Sequence, residues 1–222
     1  MPRLEELLAC VVARLIGDAR HVAVGAASPI PASAAFLLQE KDRGLRVSLL
    51  QKRKGNPFTE GSRELFDLAG QGRIDVFFLG GAQIDGAGNI NLVQAEGRRF
   101  PGSFGSAFMY QAVPKVILFR EEHSRRVLVP KVEFVSAAGR PRALVTGKAL
   151  FGFERRFVLE SFHPGESVES IRAATGFDFD VSPDVSPTPA PSDQDLDLLR
   201  TRVAKRIAAD YPDFAKRVWG VS

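Results

Sequence analysis

Residues 74–110 read IDVFFLGGAQIDGAGNINLVQAEGRRFPGSFGSAFMY, and their order decides the fold. Val76-Phe77-Phe78-Leu79 is a short apolar run, of the length and composition of a strand buried on both faces. Gly80-Gly81 follows, where the absence of Cβ lets the backbone turn or approach a ligand closely. Asp85-Gly86-Ala87-Gly88-Asn89 is dense turn chemistry, because Gly and Asn supply positive φ. Ile90 to Val93 returns to an extended pattern, and a second glycine-rich turn, Pro101 to Ser106, leads into Ala107-Phe108-Met109. Two glycine loops around one strand make a ligand rim. Backbone amides at such a turn can cradle a phosphate or a developing oxyanion. By spacing alone, a plain tight turn and a helix entry explain the same residues equally well.

Working outward, Leu4, Leu7, Leu8, Val11, Val12 and Leu15 fall at three- and four-residue spacings and predict an amphipathic helix. His21 to Gly25 reads as a strand, with a turn through Pro29 and a helix from about Ala32 to Gln39. Pro31 is acceptable in that first turn. Leu45 to Leu50 is the next strand, Gln51 to Pro57 a polar loop, and Arg63 to Ala69 a helix. Pro114 to Phe119 gives a further strand. The alternation is that of an α/β fold with an open, mostly parallel sheet. It puts Gly25 to Pro29 at the carboxyl end of a strand, where ligands of such sheets sit.

Beyond Arg120 the pieces are shorter. Val127 to Val129, Val132 to Val135, Ala143 to Thr146 and Phe157 to Glu160 predict added antiparallel strands. Ser167 starts a small helix that Gly176 can end. Residues 1–181 are expected to form the α/β domain and 182–191, SPDVSPTPAP, a proline-rich connector. Residues 192–222 form a C-terminal helical segment, with Ser192 or Asp193 as N-cap, that packs on a neighbour or on the body.

Composition narrows the function. The 222 residues are 45% hydrophobic and 25% charged, and a net charge of +4 is only mildly basic. No helix-turn-helix, zinc or RNP pattern accompanies that charge, which argues against nucleic acid. Cys10 is the single cysteine, so there is no intrachain disulfide and no cysteine metal cluster. The amino-terminal residues do not read as a secretory signal, and no apolar run approaches the roughly 18 residues of a membrane span. The expectation is a soluble, cytoplasmic protein with no membrane contact. His21, His123 and His163 lack metal spacing, and G-x-S-x-G, P-loop and G-x-G-x-x-G patterns are absent.

Three segments together resemble the β subunits of class I coenzyme A transferases, most of all the glutaconate CoA-transferase type. They are LGGAQIDGAGNIN at 79–91, FPGSFGSAFMY at 100–110 and SFHPGESVESIRAATGF at 161–177. The similarity runs through nearly the whole chain in the right order. It implies the fold of that superfamily, an open, mostly parallel α/β sheet with extra antiparallel strands. It also implies an α subunit of similar fold, hence a hetero-oligomer with the active site in the cleft between the two. The substrate would be a coenzyme A thioester, with no bound cofactor and no metal. Gly80, Gly81, Gln83, Asp85, Gly88, Asn89 and Asn91 match the family's strand-turn motif. Gly102, Ser103, Gly105 and Ser106 match its second glycine loop, near the acyl thioester. Gly25 and Ser28 match the first loop in position more than in letters.

One departure matters. Transferases of this type carry a glutamate, usually in a Glu-x-Gly setting, on the loop that here follows Leu50. Its carboxylate attacks the acyl-CoA. Residues 49–56 read LLQKRKGN, so Gly55 places Arg53 at that position, and neither Gln51 nor Arg53 can form the glutamyl thioester. Glu60 is the next carboxylate and needs a different loop path to serve. Lys52 or Arg53 could bind a substrate carboxylate, against the plainer reading of a solvated loop. Relatives lacking the glutamate include ring-opening acyl-CoA hydrolases and decarboxylases of glutaconyl-type thioesters. The expected function is therefore a β subunit acting on a dicarboxylic or ring-derived acyl-CoA by hydrolysis, C–C cleavage or decarboxylation. The alternatives are a genuine transferase with a displaced carboxylate, and a non-catalytic binding chain that completes the partner's active site.

Overall fold

The spacing of Leu7, Leu8, Val11 and Val12 produces what it predicts. These side chains are buried on helix α1 (Leu4–Ile16), the first element of the computed structural model. The structure describes residues 2–41, 44–52, 55, 56, 58, 60 and 62–221. The chain divides into two compact units, residues 1–78 with 189–222, and residues 79–188.

In the first unit, β1 (His21–Val24), α2 (Pro29–Lys41), β2 (Arg46–Leu49), α3 (Ser62–Gly70) and β3 (Val76–Leu79) follow α1. β1 lies between β2 and β3 and runs parallel to both, with His21 opposite Arg46 and Val22 opposite Val76. All four residues of β1 are buried, as a strand covered on both faces requires. Helix α2 begins three residues earlier than the sequence suggests, at Pro29, which tolerates a first-turn position because its missing N–H has no intrahelical partner there.

The second unit holds β4 (Gln83–Asp85), β5 (Ile90–Asn91), β6 (Gln94–Ala95), β7 (Arg98–Arg99), α4 (Ser106–Ala112), β8 (Lys115–Arg120) and β9 (Leu128–Val129). After these come β10 (Ala143–Thr146), β11 (Ala149–Phe153), β12 (Phe157–Phe162), α5 (Val168–Ala174) and β13 (Asp180–Pro187). β8 and β10 pair in parallel, β10–β11 and β11–β12 antiparallel, and β12–β13 in parallel. β4 pairs antiparallel with β5 and parallel with β9. The fold is α/β, with mostly parallel main pairings and added antiparallel strands, as expected.

Three local expectations need correction. Val132 to Val135 is not a strand. The amide of Val132 donates to the Asp85 carboxylate (3.3 Å) and that of Glu133 to Gln83 Oε1 (3.1 Å), so this backbone serves side chains rather than a ladder. The proline-rich residues 182–187 lie within β13, at the edge of its sheet, where proline is tolerated because one face of the ladder needs no donors. Helix α5 ends at Thr175 in an extended conformation, and Gly176 instead donates its amide to the Leu128 carbonyl (2.7 Å).

The rest of the first unit is helical. Ser192 caps α6 (Asp193–Leu198) by accepting from the Asp195 amide (3.1 Å). One π-helical turn (Leu199–Val203), α7 (Ala204–Asp210) and α8 (Pro212–Trp219) complete the chain. This segment packs on the body. Glu6 of α1, 0% exposed, takes a two-pronged ion pair from Arg200 (Nε 2.7 Å, Nη2 2.8 Å) and a bond from Trp219 Nε1 (3.3 Å). Burial pushes the Glu6 carboxyl up, but the Arg200 and Arg3 hydrogen bonds outweigh it and hold it below the usual range.

Candidate active site

The strand-turn motif folds into a closed polar knot. The Asp85 carboxylate accepts from the amides of Ala87 (3.0 Å) and Asn89 (3.1 Å), from Asn89 Nδ2 (3.1 Å) and from Val132. Gln83 Oε1 accepts from Asn91 Nδ2 (2.9 Å), while Gln83 Nε2 donates to Glu133 Oε1 (2.7 Å). Asn91 Oδ1 accepts from the amides of Val93 and Gln94, each at 3.2 Å. Glu133 in turn accepts from the Glu96 amide, which steadies a hairpin turn whose two central residues, Glu96 and Gly97, both have positive φ. Gln83, Asp85 and Asn91 are buried. Their polar atoms face the chain itself, so the motif is a girder under the loops. Gly81 belongs to the same logic, since a Cβ there would lie 2.6 Å from the Gln83 carbonyl oxygen.

The second glycine loop differs. Gly102 (φ 131°), Phe104 (φ 43°) and Gly105 (φ 66°) all have positive φ, so the segment before α4 is coiled tightly. Ser106 donates its amide to the Ser103 carbonyl (2.9 Å), which removes that amide from any oxyanion role. The amides of Ser103 and Gly105 make no hydrogen bond among the described residues. Ser106 Oγ, on a residue 3% exposed, has no hydrogen-bond partner among them either. A buried hydroxyl without a partner is uncommon, and a ligand atom is one remedy. Phe100, Phe104 and Phe108 are exposed around this loop.

In the first unit, the loops after β1 and β2 meet at one contact, where the Ala27 amide donates to Gln51 Oε1 (3.3 Å). Ser28 Oγ donates to the Ala26 carbonyl (3.2 Å), and Gly25 follows the last residue of β1. Lys52 is exposed, with its carbonyl accepting from Asn56 Nδ2 (3.1 Å); Arg53 lies outside the described residues. The Glu60 side chain is 63% exposed and pairs with Arg63 (3.4 Å). The structure thus groups Gln83 and Asn89 in the knot with Gly81 packed against it, sets Gly80 against the Phe119 carbonyl, and puts Gly102 to Ser106 in a second loop and Gly25, Ser28 and Lys52 in the first unit.

The histidines are bonded at both ring nitrogens. His163 Nε2 lies 3.0 Å from the Thr146 carbonyl and donates there, while Nδ1 bonds with Thr188 Oγ1 (2.8 Å). Thr188 Oγ1 is also bonded with Ser161 Oγ (2.8 Å). His123 sits between Thr146 Oγ1 (2.8 Å) and Thr175 Oγ1 (3.0 Å). Burial first, and the Lys148 ammonium second, push His123 down to about 4. His163 is thereby a buried tie between β10 and the ends of β12 and β13, while Pro164 and Gly165 of the same segment are exposed.

Among the described residues no group of three or more His, Cys, Asp and Glu side chains could hold a metal, and no helix is long and apolar enough to cross a membrane.

Comparison with known proteins fits this architecture. The coenzyme A transferase profile matches residues 39–172, more than half of the chain, and the chain belongs to that family. Over 162 residues it is 30% identical to the B-type chain of 3-oxoadipate CoA-transferase from Pseudomonas knackmussii, a match covering 62% of each chain. Over 153 residues it is 28% identical to the B-type chain of glutaconate CoA-transferase from Acidaminococcus fermentans, covering 58% of this chain and 56% of that one. The matches thus span about three fifths of these curated relatives. Among solved structures, a chain of the decarboxylase AibA/AibB superposes with a TM-score of 0.80 at 26% identity, covering 99% of each chain. The sequence resemblance to CoA-transferase β subunits is borne out.

Sequence reasoning missed one polar feature, an arginine-lined cavity beside His21. Its signal was present: Arg20 and Arg46 stand at the start of consecutive strands, and Arg73 three residues before the next.

Proposed function

We propose that this chain is the β-type subunit of a two-component enzyme that processes an acyl-CoA, dicarboxylic or ring-derived, without a glutamyl-thioester intermediate. The observation that carries the reading is the loop after β2, where Gln51 and Lys52 follow the strand and no carboxylate stands before Glu60. Glu60 points to solvent beside Arg63, a poor setting for a nucleophile that must meet a thioester in a dry cleft. Cys10 is no substitute, since burial in α1 pushes its thiol up to about 12. The likeness to a decarboxylase supports a reaction other than transfer.

In this reading the second glycine loop supplies the electrostatics. The amides of Ser103 and Gly105 and the Ser106 hydroxyl would receive the thioester oxygen as it gains negative charge, which lowers the barrier without a covalent bond to the protein. Lys52, with Arg53, would hold a substrate carboxylate. The catalytic carboxylate or other proton-transfer group then comes from an α subunit of similar fold.

Co-expression with a CoA-transferase α-type chain tests this. A stable complex that hydrolyses or decarboxylates a dicarboxylic acyl-CoA is expected, and Glu60→Gln should keep its turnover within about twofold of the parent. A loss of activity in Glu60→Gln, together with a trapped glutamyl thioester in the parent, would restore the transfer mechanism. No association with such α chains would remove the two-component reading.

A further inference from the structure

The amino ends of β1, β2 and β3 surround a second polar site. A cavity of about 300 Å³ there is lined by Arg20, His21, Arg46, Gly72, Arg73 and Asp75. Parallel register puts the strand starts level, with His21 opposite Arg46 and Val22 opposite Val76. The three arginine backbones are fixed. The Arg20 amide donates to Asp75 Oδ2 (2.7 Å), the Arg46 amide to the Arg20 carbonyl (2.9 Å), and the Arg73 amide to the Leu68 carbonyl (2.8 Å). The Arg73 carbonyl is held as well, by His21 Nδ1 (2.8 Å), so Nδ1 is the donor and Nε2 accepts from Ser48 Oγ (2.9 Å).

Charge is unbalanced in this cavity. Asp75 is its one carboxylate, and it already accepts from the Arg20 and His21 amides and faces Arg20 Nη2 at 3.7 Å. The guanidiniums of Arg46 and Arg73 make no hydrogen bond or ion pair among the described residues, though both act on the His21 imidazole. All three arginines are exposed, Arg20 with 88% of its side chain, and their forks at this rim suit a compact, doubly charged anion with oxygens in several directions.

We propose that this cavity binds a phosphate dianion, held by Arg46 and Arg73 with Arg20 closing over it. The site lies at the end of these strands remote from Gly25 and Gln51, so it is separate from the loops that follow β1 and β2. Its ligand is recognised as a phosphate group, either free or on a nucleotide. His21 does not touch the anion but reports it. Its surroundings are the guanidiniums of Arg20, Arg46 and Arg73, the Asp75 carboxylate and the Ser48 hydroxyl. Burial first, aided by the Arg46 and Arg73 charges, outweighs the bond to the Arg73 carbonyl and the Asp75 charge and holds the ring below its usual value, and a bound anion must raise it.

The test is a titration of the full chain, in the complex in which it is purified, carrying labelled histidine. Inorganic phosphate and adenosine 3′,5′-bisphosphate are added at constant ionic strength. A saturable shift of the His21 signals at millimolar ligand, with His123 and His163 unmoved and a raised His21 pKa, is expected. Tighter binding of the bisphosphate assigns the site to a nucleotide, and equal binding assigns it to free phosphate. The double variant Arg46→Gln with Arg73→Gln should weaken binding by about tenfold or more, and Arg46→Lys with Arg73→Lys should recover part of it. Unmoved His123 signals certify the fold of each variant. No saturable response, the same response to sodium chloride, or undiminished binding in the double Gln variant would each overturn the site.

Discussion

The Gln83–Asn91 knot and the arginine rim at the foot of β1–β3 are equally rich in polar groups and use them in opposite ways. In the knot, every side chain that carries the family resemblance faces a partner in the chain. At the rim, three guanidiniums stand beside one carboxylate, and among the described residues only that of Arg20 pairs with it. The difference teaches that a residue pattern recognisable across a family marks here what holds the loops in place. Donors without partners among the described residues remain instead at the rim and at the Ser103 and Gly105 amides and the Ser106 hydroxyl.

The sharpest way to break this contrast is Asp85→Ala. It strands four donors in a buried setting, and a loss of about 3–5 kcal/mol is expected in urea unfolding. A loss under about 1 kcal/mol would mean the knot is no girder.

The buried histidines extend the comparison to pH. His123 has an ordinary value of 6.5 when exposed and about 4 in the fold. The unfolded chain therefore binds the extra proton first, so stability is full above pH 6.5 and falls as pH drops toward 4. The expected loss across that window is about 3 kcal/mol, and His123→Gln should flatten it. An unchanged slope in that variant would assign the acid sensitivity elsewhere.

Smallest in stability is Ser106→Ala, which removes a buried hydroxyl without a partner and should leave unfolding within about 1 kcal/mol of the parent. If the loop meets the substrate, kcat/KM on the acyl-CoA should fall about tenfold or more in the same variant. Parental kinetics would reduce the loop to scaffolding, like the knot.

Much of the fold was legible in the residues. The period of Leu7, Leu8, Val11 and Val12 located α1, and the unbroken run Val76 to Leu79 located β3 because both faces of that strand are covered. Legibility failed where side chains replaced the ladder. Val132 to Val135 alternates well enough for a strand, but the Asp85 and Gln83 side chains take its amides. β11 (ALFGF) was missed because a glycine, Gly152, interrupts its apolar pattern. Of the site, the glycine loops could be found by letters, whereas the orphaned Ser106 hydroxyl could not.

By itself the sequence determined the strand, glycine-turn and helix order around residues 74–110, the kinship with CoA-transferase β chains, and the lack of a carboxylate directly after β2. These are local properties, set by side-chain period, turn chemistry and residue identity. Only the tertiary structure decided which polar groups are satisfied. Hydrogen bonds between Gln83 and Glu133, fifty residues apart, or the meeting of Arg20, Arg46 and Arg73 at one end of a sheet, depend on parallel register. That register is a product of the whole core, and no short stretch of the chain encodes it.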